Sequence, residues 1–306
     1  MRLILDARTA AFAALVDYAG LFPPASLDMA GAVEGYRAAR SSDARWVAGR
    51  FLCPASRLEE LAGVLTTTFI DGEDPWEIGV VLDTEPGEGA SAAQTFHVEM
   101  QPAAIIASAE ARPLDAAPAS IAALVDTLVS IQPEVVPFVE VAASEPLKDQ
   151  ISTVAQALGE LGRVGGVKIR CGGTVASMFP EPGTVASFIL EATNAKLPYK
   201  ATAGLHQPIR HYDSDLGVWR HGFVNLLVAA AAAEAGHGVE KLTTIVADTD
   251  PDAFAISTAF ATWRDLSIPG PAMRRVRTQG FVAYGSCDFF EPIEALEGLS
   301  FLGGST

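Results

Sequence analysis

Short apolar runs rich in β-branched residues alternate along this chain with segments of helical periodicity, and this alternation constrains the fold more than any other feature. It is typical of a parallel β-sheet whose strands are joined by crossover helices. Six strands are predicted in order, over residues 46–53, 76–83, either 95–100 or 103–108, 135–141, 164–170 and 197–202. The intervening helices are predicted over residues 30–40, 56–65, 121–130, 147–161, 185–193 and 222–235.

The alternation weakens after residue 236, where residues 239–248 fit either a helix or a seventh strand. A further strand followed by a turn is predicted over residues 280–289. An alternating chain of 306 residues whose strands end in small or polar residues favours a (β/α)8 barrel, the TIM-type α/β fold, as one domain over residues 1–306. Residues 1–45 would form a lid or plug at one end. A doubly wound sheet is the alternative, but no Gly-x-Gly-x-x-Gly follows the first strand.

The formal net charge of −16 and the isoelectric point near 4.6 argue against two classes of partner. An acidic chain repels nucleic acid and anionic membrane surfaces, so neither is predicted as a partner. The longest strongly apolar run, residues 226–233, is far shorter than the roughly 20 residues that span a bilayer, which predicts a buried alanine-rich helix. Residues 1–6 reach an acid too early for a signal peptide, which predicts a cytoplasmic protein. A homodimer is expected only because dimers are common.

The three cysteines, Cys53, Cys171 and Cys287, cannot all pair, and none belongs to a Cys-x-x-Cys motif. Neither a disulfide framework nor a zinc ribbon is therefore predicted. The cysteines are interpreted as small core residues, and no metal or cofactor is predicted.

Two lysines each end a short apolar run and begin a stretch of small residues. Lys168 stands in Gly-Gly-Val-Lys-Ile-Arg-Cys-Gly-Gly, and Lys200 stands in Leu-Pro-Tyr-Lys-Ala-Thr-Ala-Gly. The carboxyl ends of the strands carry the chemistry in α/β barrels, and a desolvated lysine amine there can lose its proton and attack a carbonyl. Both lysines are therefore candidate catalytic residues, with a purely structural role as the alternative.

Positive charge is concentrated around these lysines. Residues 161–221 contain seven Lys or Arg against four Asp or Glu, in a chain that is acidic overall. Such an excess raises the local concentration of an anionic substrate, for which Arg170 and Arg210 are the predicted side-chain contacts. Turns near strand ends would supply further backbone N–H groups, at Gly172, Gly173, Gly204, Gly285 and Ser286.

Candidate groups for proton transfer lie near other predicted strand ends. Glu140 ends an apolar strand, so its carboxylate would pair with a lysine or exchange protons with it. Glu99 and Asp83 are further candidates for the same role. His206, shortly after Lys200, is predicted to act as an acid or base or to donate to a substrate oxygen.

Residues 134–289 resemble the later half of the class I aldolase barrels, most of all deoxyribose-phosphate aldolase. That family has a strand ending in glutamate, a Lys-x-x-x-Gly strand with the Schiff-base lysine, a second Lys-x-x-x-Gly strand followed by arginine, and a Gly-x-Ser turn near phosphate. The corresponding residues here are Val139-Glu140, Lys168 to Gly172, Lys200 to Gly204 with Arg210, and Gly285-Ser286. The resemblance implies that Lys168 is the nucleophile and that Lys200 lowers its pKa, although the reverse assignment stays open.

The sequence departs from that family at three points, one of which is the family's seventh-strand glycine pair, here Ala203-Gly204 followed by His206. The small hydroxyl residues that follow the family's reactive lysine are replaced by Ile169, Arg170 and Cys171. The family's upstream strand-end aspartate has no match beyond Glu99. All three departures bear on the substrate and on the Schiff base itself.

Together these residues predict a lyase of the aldolase type that acts on a small anionic carbonyl compound through a lysine Schiff base. Glu140 or His206 would move protons. One alternative is a metal-dependent hydrolase or lyase that uses His206, His211 and the carboxylates of Glu99 or Glu140, although Pro208 breaks any helix that would align the two rings. The other alternative is a non-catalytic barrel that binds a small anion.

Overall fold

The computed structural model describes residues 6–68, 70 and 72–303. Eight parallel strands close into a barrel, which confirms the predicted TIM-type α/β fold. The barrel strands are β1 (Val16–Tyr18), β2 (Ala48–Pro54), β3 (Trp76–Val81), β4 (Ala104–Ala111), β5 (Val136–Glu140), β6 (Gly166–Arg170), β7 (Tyr199–Thr202) and β13 (Phe281–Ser286). Neighbours follow the chain order around the barrel, and β13 closes it between β7 and β1.

The chain between β7 and β13 forms two small antiparallel sheets that are separate from the barrel. One is a hairpin of β8 (His211–Asp213) and β9 (Val218–Arg220), and the other contains β10 (Phe254–Ile256), β11 (Phe260–Trp263) and β12 (Leu266–Pro269). Residues 239–248, which fitted either a helix or a seventh strand, are helical. The eighth barrel strand lies instead near the start of the chain.

The described residues form eleven α-helices: α1 (Ala7–Phe12), α2 (Met29–Ser41), α3 (Leu58–Thr67), α4 (Pro86–Met100), α5 (Pro118–Val129), α6 (Leu147–Glu160), α7 (Pro182–Asn194), α8 (Phe223–Glu234), α9 (Val239–Ala247), α10 (Gly270–Gln279) and α11 (Phe290–Gly298). Several of these helices begin at residues that favour a helix N-terminus. Pro86, Pro118 and Pro182 begin α4, α5 and α7, where the missing proline N–H costs no helical hydrogen bond. Asp28 caps α2 by accepting from the Gly31 N–H at 2.8 Å.

The barrel strand that sequence analysis missed is β1. It pairs with both β13 and β2, so Val16–Tyr18 belong to the barrel wall rather than to a lid or plug; the lid or plug stays a prediction for the other described residues before 46. Residues 1–5 lie outside the described residues, and with them most of the segment that argued against a signal peptide. A strand of three residues is too short for an alternating pattern to be recognised, which explains the error.

The choice between residues 95–100 and 103–108 for a strand is settled in favour of the second. Residues 95–100 end α4, and Glu99 is exposed on that helix, so Glu99 does not lie at a strand end. The strand β4 extends to Ala111, beyond the predicted end. It thereby brings Glu110 into the barrel wall, at a position that sequence analysis did not consider.

The hydrophobic core lies between the outer faces of the strands and the surrounding helices. Tyr36 of α2 packs against Phe51 and Trp76, with ring centroids 5.4 and 4.8 Å away. Helix α8 is buried along its length except at Glu234, which confirms the predicted buried alanine-rich helix. Among the described residues, no helix is both long enough and apolar enough to pass through a membrane.

Arg277 of α10 ties the segment before β1 to the start of β13. Its buried guanidinium donates to the carbonyl oxygens of Ala11 and Ala13, both at 2.9 Å, and to that of Phe281. Burial lowers the pKa of Arg277 to about 10, which leaves the group charged at neutral pH. One planar guanidinium thus satisfies three carbonyl groups that belong to two separate segments.

We expect Arg277→Lys to lower the free energy of unfolding by about 2–3 kcal/mol, because an ammonium cannot reproduce the planar fork and leaves buried carbonyls without donors. Urea denaturation monitored by circular dichroism measures the change. Arg275→Lys, on the exposed side of the same helix, is the matched control and should change stability by less than about 0.5 kcal/mol. Equal changes in the free energy of unfolding for the two substitutions would show that the planar guanidinium of Arg277 contributes no more to stability than that of Arg275.

Candidate active site

Five charged side chains from five strands lie inside the barrel: Asp17 of β1, Glu110 of β4, Glu140 of β5, Lys168 of β6 and Lys200 of β7. None is more than 7% exposed. The strand register aligns Glu140 with Lys168 and Lys168 with Lys200, so these three side chains leave the same face of the wall at the same level. Burial of five ionisable groups together is rare unless they pair, and here they do.

The five groups form a chain of alternating charge, which we call the lysine–carboxylate chain. Lys168 Nζ lies 3.0 Å from Glu140 Oε2 and 3.0 Å from Glu110 Oε2. The other oxygen of Glu110 contacts Lys200 Nζ, which is also 2.5 Å from Asp17 Oδ2. Glu110 is therefore the centre of the chain, because its two oxygens join the two lysines.

These contacts hold Glu110 and Glu140 in their charged forms. Burial alone would raise the pKa of Glu110, but Lys200 and Lys168 outweigh burial and lower it to about 2. Burial would likewise raise the pKa of Glu140, but Lys168 and Arg170 lower it. The resting site therefore contains carboxylates rather than carboxylic acids.

The state of Lys168 differs from the expectation that a desolvated strand-end amine loses its proton. Burial does favour the neutral amine, but the charges of Glu110 and Glu140 outweigh it and raise the pKa of Lys168. Lys168 is thus an ammonium at rest. Lys168 and Lys200 also lie within their strands, each two residues before the last one, rather than at the ends.

The chain approaches solvent at the Glu140 end. Glu140 is the last residue of β5, and Arg170, whose side chain is 43% exposed, lies with Nε 3.5 Å from Glu140 Oε1. A cavity of about 230 Å³, bordered by Glu140 and Arg112, opens beside them. The other end of the chain is closed, since Asp17 accepts from the Arg50 N–H at 2.8 Å and Lys200 lies over the Phe138 ring.

Packing accounts for the glycines that were predicted to bind an anion. Gly204 has φ +72°, which favours glycine, and a Cβ there would lie 3.2 Å from Gly172 Cα. A Cβ on Gly173 would collide with Met178. Gly285 and Ser286 are the last residues of β13 rather than a turn after it, and Ser286 Oγ donates to the Asp288 carbonyl at 2.6 Å. A role of these residues in anion binding stays a prediction.

The predicted histidines and Arg210 lie away from the lysine–carboxylate chain. His206 has Nδ1 2.9 Å from Glu291 Oε2 and Nε2 3.9 Å from Cys287 Sγ, so its ring nitrogens face these two residues rather than a lysine. His206, Arg210 and His211 border a separate open cleft of about 800 Å³. Arg210 donates toward His221 Nδ1 at 3.2 Å.

The part of the chain that the structure describes contains no set of metal ligands for the alternative of a metal-dependent enzyme. No group of three or more His, Cys, Asp or Glu side chains in residues 6–68, 70 and 72–303 is arranged to hold a metal ion. His211 Nδ1 lies 3.2 Å from the Ile209 carbonyl oxygen, while His206 pairs with Glu291. Asp83, another predicted strand-end acid, instead accepts from the Ser56 N–H and hydroxyl.

Sequence analysis identified three of the five groups in the lysine–carboxylate chain and missed Asp17 and Glu110. The signal for Glu110 was its alternation with Ser108 along a run of alanine and isoleucine, which places both side chains on one face of β4. Asp17 gave no comparable signal, because its strand has only three residues.

Neither a scan against models of protein families nor a search of the curated proteins returns a match to this chain. Barrels of this type are commonly enzymes, with the active site at the C-terminal ends of the strands. The residues of the barrel interior are therefore the basis on which a function can be proposed.

Proposed function

We propose that this protein is a lyase of the class I aldolase type, which acts on a small anionic carbonyl compound through a Schiff base on Lys168. The observation that carries the proposal is the position of Lys168 Nζ, 3.0 Å from a carboxylate on each side and next to the open end of the chain. A nucleophile with a proton acceptor in contact is the arrangement that covalent catalysis requires.

The charge of the site favours the iminium as strongly as it favours the resting ammonium. An ammonium and a carbonyl compound condense to an iminium and water, so the positive charge stays at the same nitrogen and no net proton is released. The carboxylates of Glu110 and Glu140 thus stabilise both states. Only the neutral amine between them is disfavoured, which makes proton removal the step that needs assistance.

Glu140 is the group that would assist the removal of the proton from Lys168. It accepts a proton from Lys168, whose neutral amine attacks the substrate carbonyl and forms a carbinolamine. Glu140 then returns the proton to the carbinolamine hydroxyl, which leaves as water. In the iminium, Glu140 takes the proton of a β-hydroxyl while the carbon–carbon bond breaks. The bonding electrons move into the iminium and give an enamine, whose carbon regains that proton before water releases the product.

Lys168 suits the role of nucleophile better than Lys200. The side chain of Lys168 is 6% exposed and that of Lys200 is 1% exposed, and only Lys168 contacts Glu140. Lys200 is enclosed by Asp17, Glu110 and the Phe138 ring. It would act as a fixed cation that favours the neutral form of Lys168.

Two further observations support this reading. Glu110 supplies an acid upstream of Glu140 in the barrel wall, as the resemblance to aldolases implies, where Glu99 was expected. Arg170 lies next to Glu140 at the open end, and Arg112 borders the cavity of about 230 Å³ together with Asp115 and Glu145; the two arginines would contact an anionic group of the substrate. The proton-transfer role predicted for His206 is assigned to Glu140 in this proposal.

Trapping with borohydride tests the proposal. The protein is incubated with a panel of small aldehydes and oxo acids, reduced, and mapped by peptide mass spectrometry. We expect one stable adduct per chain, located at Lys168. Exposed Lys148 on α6 is the internal control and should remain unmodified at the same carbonyl concentration. An unmodified Lys168 and Lys200 across the whole panel would exclude Schiff-base chemistry with these compounds and overturn the proposal.

A further inference from the structure

A second group of reactive side chains lies outside the lysine–carboxylate chain. Cys287 directly follows β13, His206 follows β7, and Glu291 lies in the first turn of α11. Cys287 Sγ is 3.9 Å from His206 Nε2, and His206 Nδ1 is 2.9 Å from Glu291 Oε2. The three residues follow the C-terminal ends of β7 and β13, although 81 positions separate His206 from Cys287 in sequence.

In these contacts Cys287 has the position of a nucleophile, His206 that of a base, and Glu291 that of an acidic residue that orients the base. A carboxylate can only accept a hydrogen bond, so Glu291 places the imidazole proton on Nδ1. The lone pair of Nε2 then faces the Cys287 thiol and can take its proton. Gln207 donates to the second oxygen of Glu291 at 3.3 Å, which fixes the carboxylate.

The surroundings separate Cys287 from the other two cysteines. Cys53 and Cys171 are fully buried, and burial raises the pKa of both thiols, that of Cys171 to about 12. Cys287 is partly exposed and is the one cysteine whose thiol lies beside a histidine in the described contacts. Its interpretation as a small core residue is therefore wrong.

Four ionisable groups face Cys287 or its partner. His206 and Glu291 have been described, and hydrogen bonding to Cys287 together with the charge of Glu291 raises the pKa of His206 despite its burial. Tyr18 also lies near, and burial with the charges of Asp288 and Cys287 raises its pKa, so it stays neutral. Asp288 accepts from the N–H groups of Phe290 and Glu291 and caps α11.

We propose that Cys287, His206 and Glu291 form a second reactive site, in which Cys287 is the nucleophile for the acyl group of a small ester or thioester. His206 and Glu291 border the cleft of about 800 Å³, and Cys287 does not border it but is itself partly exposed, so a small compound can reach the thiol.

The reaction transfers one acyl group and needs no oxidant or reductant. His206 Nε2 takes the thiol proton, and the thiolate attacks the carbonyl carbon. A carbon–sulfur bond forms and the bond from carbon to the leaving oxygen or sulfur breaks. The leaving group departs with the proton held on Nε2, and the product is an S-acyl Cys287.

Alkylation kinetics test the activation of Cys287. Iodoacetamide is used from pH 5.5 to 9, and the rate at each cysteine is obtained by peptide mapping. An ordinary thiol titrates near pH 8.5 and is about 1% thiolate at pH 6.5. We expect Cys287 to react at least about tenfold faster at pH 6.5 than it does in the Glu291→Gln variant, with Cys53 and Cys171 unmodified in the native protein.

Glu294→Gln is the matched control, since it removes the same charge from an exposed position of α11 and should leave the rate unchanged. A Cys287 rate that follows a single titration near pH 8.5 and is equal in wild type and Glu291→Gln would overturn the activation. The acyl group is tested with p-nitrophenyl acetate, for which we expect a burst of one equivalent of nitrophenolate and an acetyl group on Cys287. No burst, or a burst retained in Cys287→Ser, would overturn that part.

Discussion

Replacement of Glu110 by glutamine is expected to lower the free energy of unfolding by about 3–5 kcal/mol at pH 7, the largest effect on stability that we predict for a single substitution. Glu110 joins Lys168 and Lys200, and both ammonium groups are buried. An amide of the same shape keeps the packing but removes the charge that both lysines share. The remaining carboxylates, Asp17 and Glu140, would then each face one lysine without the central partner.

Urea denaturation followed by circular dichroism measures this effect, and Glu99→Gln is the control. Glu99 is exposed on α4, so its replacement should change the free energy of unfolding by less than about 0.5 kcal/mol. A loss below about 1 kcal/mol for Glu110→Gln would mean that water or a shift of the lysines replaces the missing charge. The ionic contacts of Glu110 would then contribute little to stability.

The Glu110→Gln substitution should also change how the free energy of unfolding depends on acidic pH. The pKa of Glu110 is lowered in the folded protein from 4.5 to about 2, so the unfolded chain binds its proton at higher pH than the folded chain does. The stability that this group contributes is therefore present above pH 4.5 and is lost as the pH falls from about 4.5 to about 2. The lowered pKa of Glu110 corresponds to about 3 kcal/mol in the free energy of unfolding, and the Glu110→Gln variant should lack this part of the dependence of stability on pH.

The sequence was sufficient to predict the barrel, most of its strands and helices, and Lys168, Lys200 and Glu140 as neighbours. Glu140 and Lys168 follow or interrupt β-branched runs and Lys200 follows the apolar run Leu-Pro-Tyr, so their strands could be recognised and their common end of the sheet deduced. The three-residue strand that holds Asp17 carries no such pattern. Glu110 lies between two alanines, which favour helix over strand, so the predicted strand ended at residue 108.

The charge state of Lys168 could not be predicted for a different reason. Burial and ion pairing act on a lysine pKa in opposite directions, and only the contacts decide which is larger. The decisive contact of Lys168 is with Glu110, 58 positions away in sequence, and that of Lys200 is with the same residue, 90 positions away. For the same reason, Cys287 could not be recognised as a partner of His206 from sequence alone.

The two lysines should respond differently when each is replaced by methionine. Lys168→Met is expected to abolish borohydride-trapped adducts, because it removes the proposed nucleophile. Lys200→Met is expected to keep the adduct at Lys168 but to slow its formation by about tenfold or more. Two like charges within about 6 Å repel by roughly 3 kcal/mol at an effective dielectric constant near 20, so removal of Lys200 raises the pKa of Lys168 further and leaves less neutral amine.

Trapping rates are compared on variants whose circular dichroism shows that they are folded, and Lys148→Met on the surface of α6 serves as the control with an unchanged rate. Peptide mapping gives the position of each adduct. If Lys168→Met is trapped at Lys200 while Lys200→Met gives no adduct, the roles of the two lysines are reversed. If Lys200→Met is trapped at Lys168 as fast as wild type, Lys200 does not tune the nucleophile and its place in the lysine–carboxylate chain is structural. Slower formation of an adduct at Lys168 in Lys200→Met would assign both roles, with Lys168 as the nucleophile and Lys200 as the cation that tunes it. A purely structural ion pair at Lys200 would not control the rate at which Lys168 reacts.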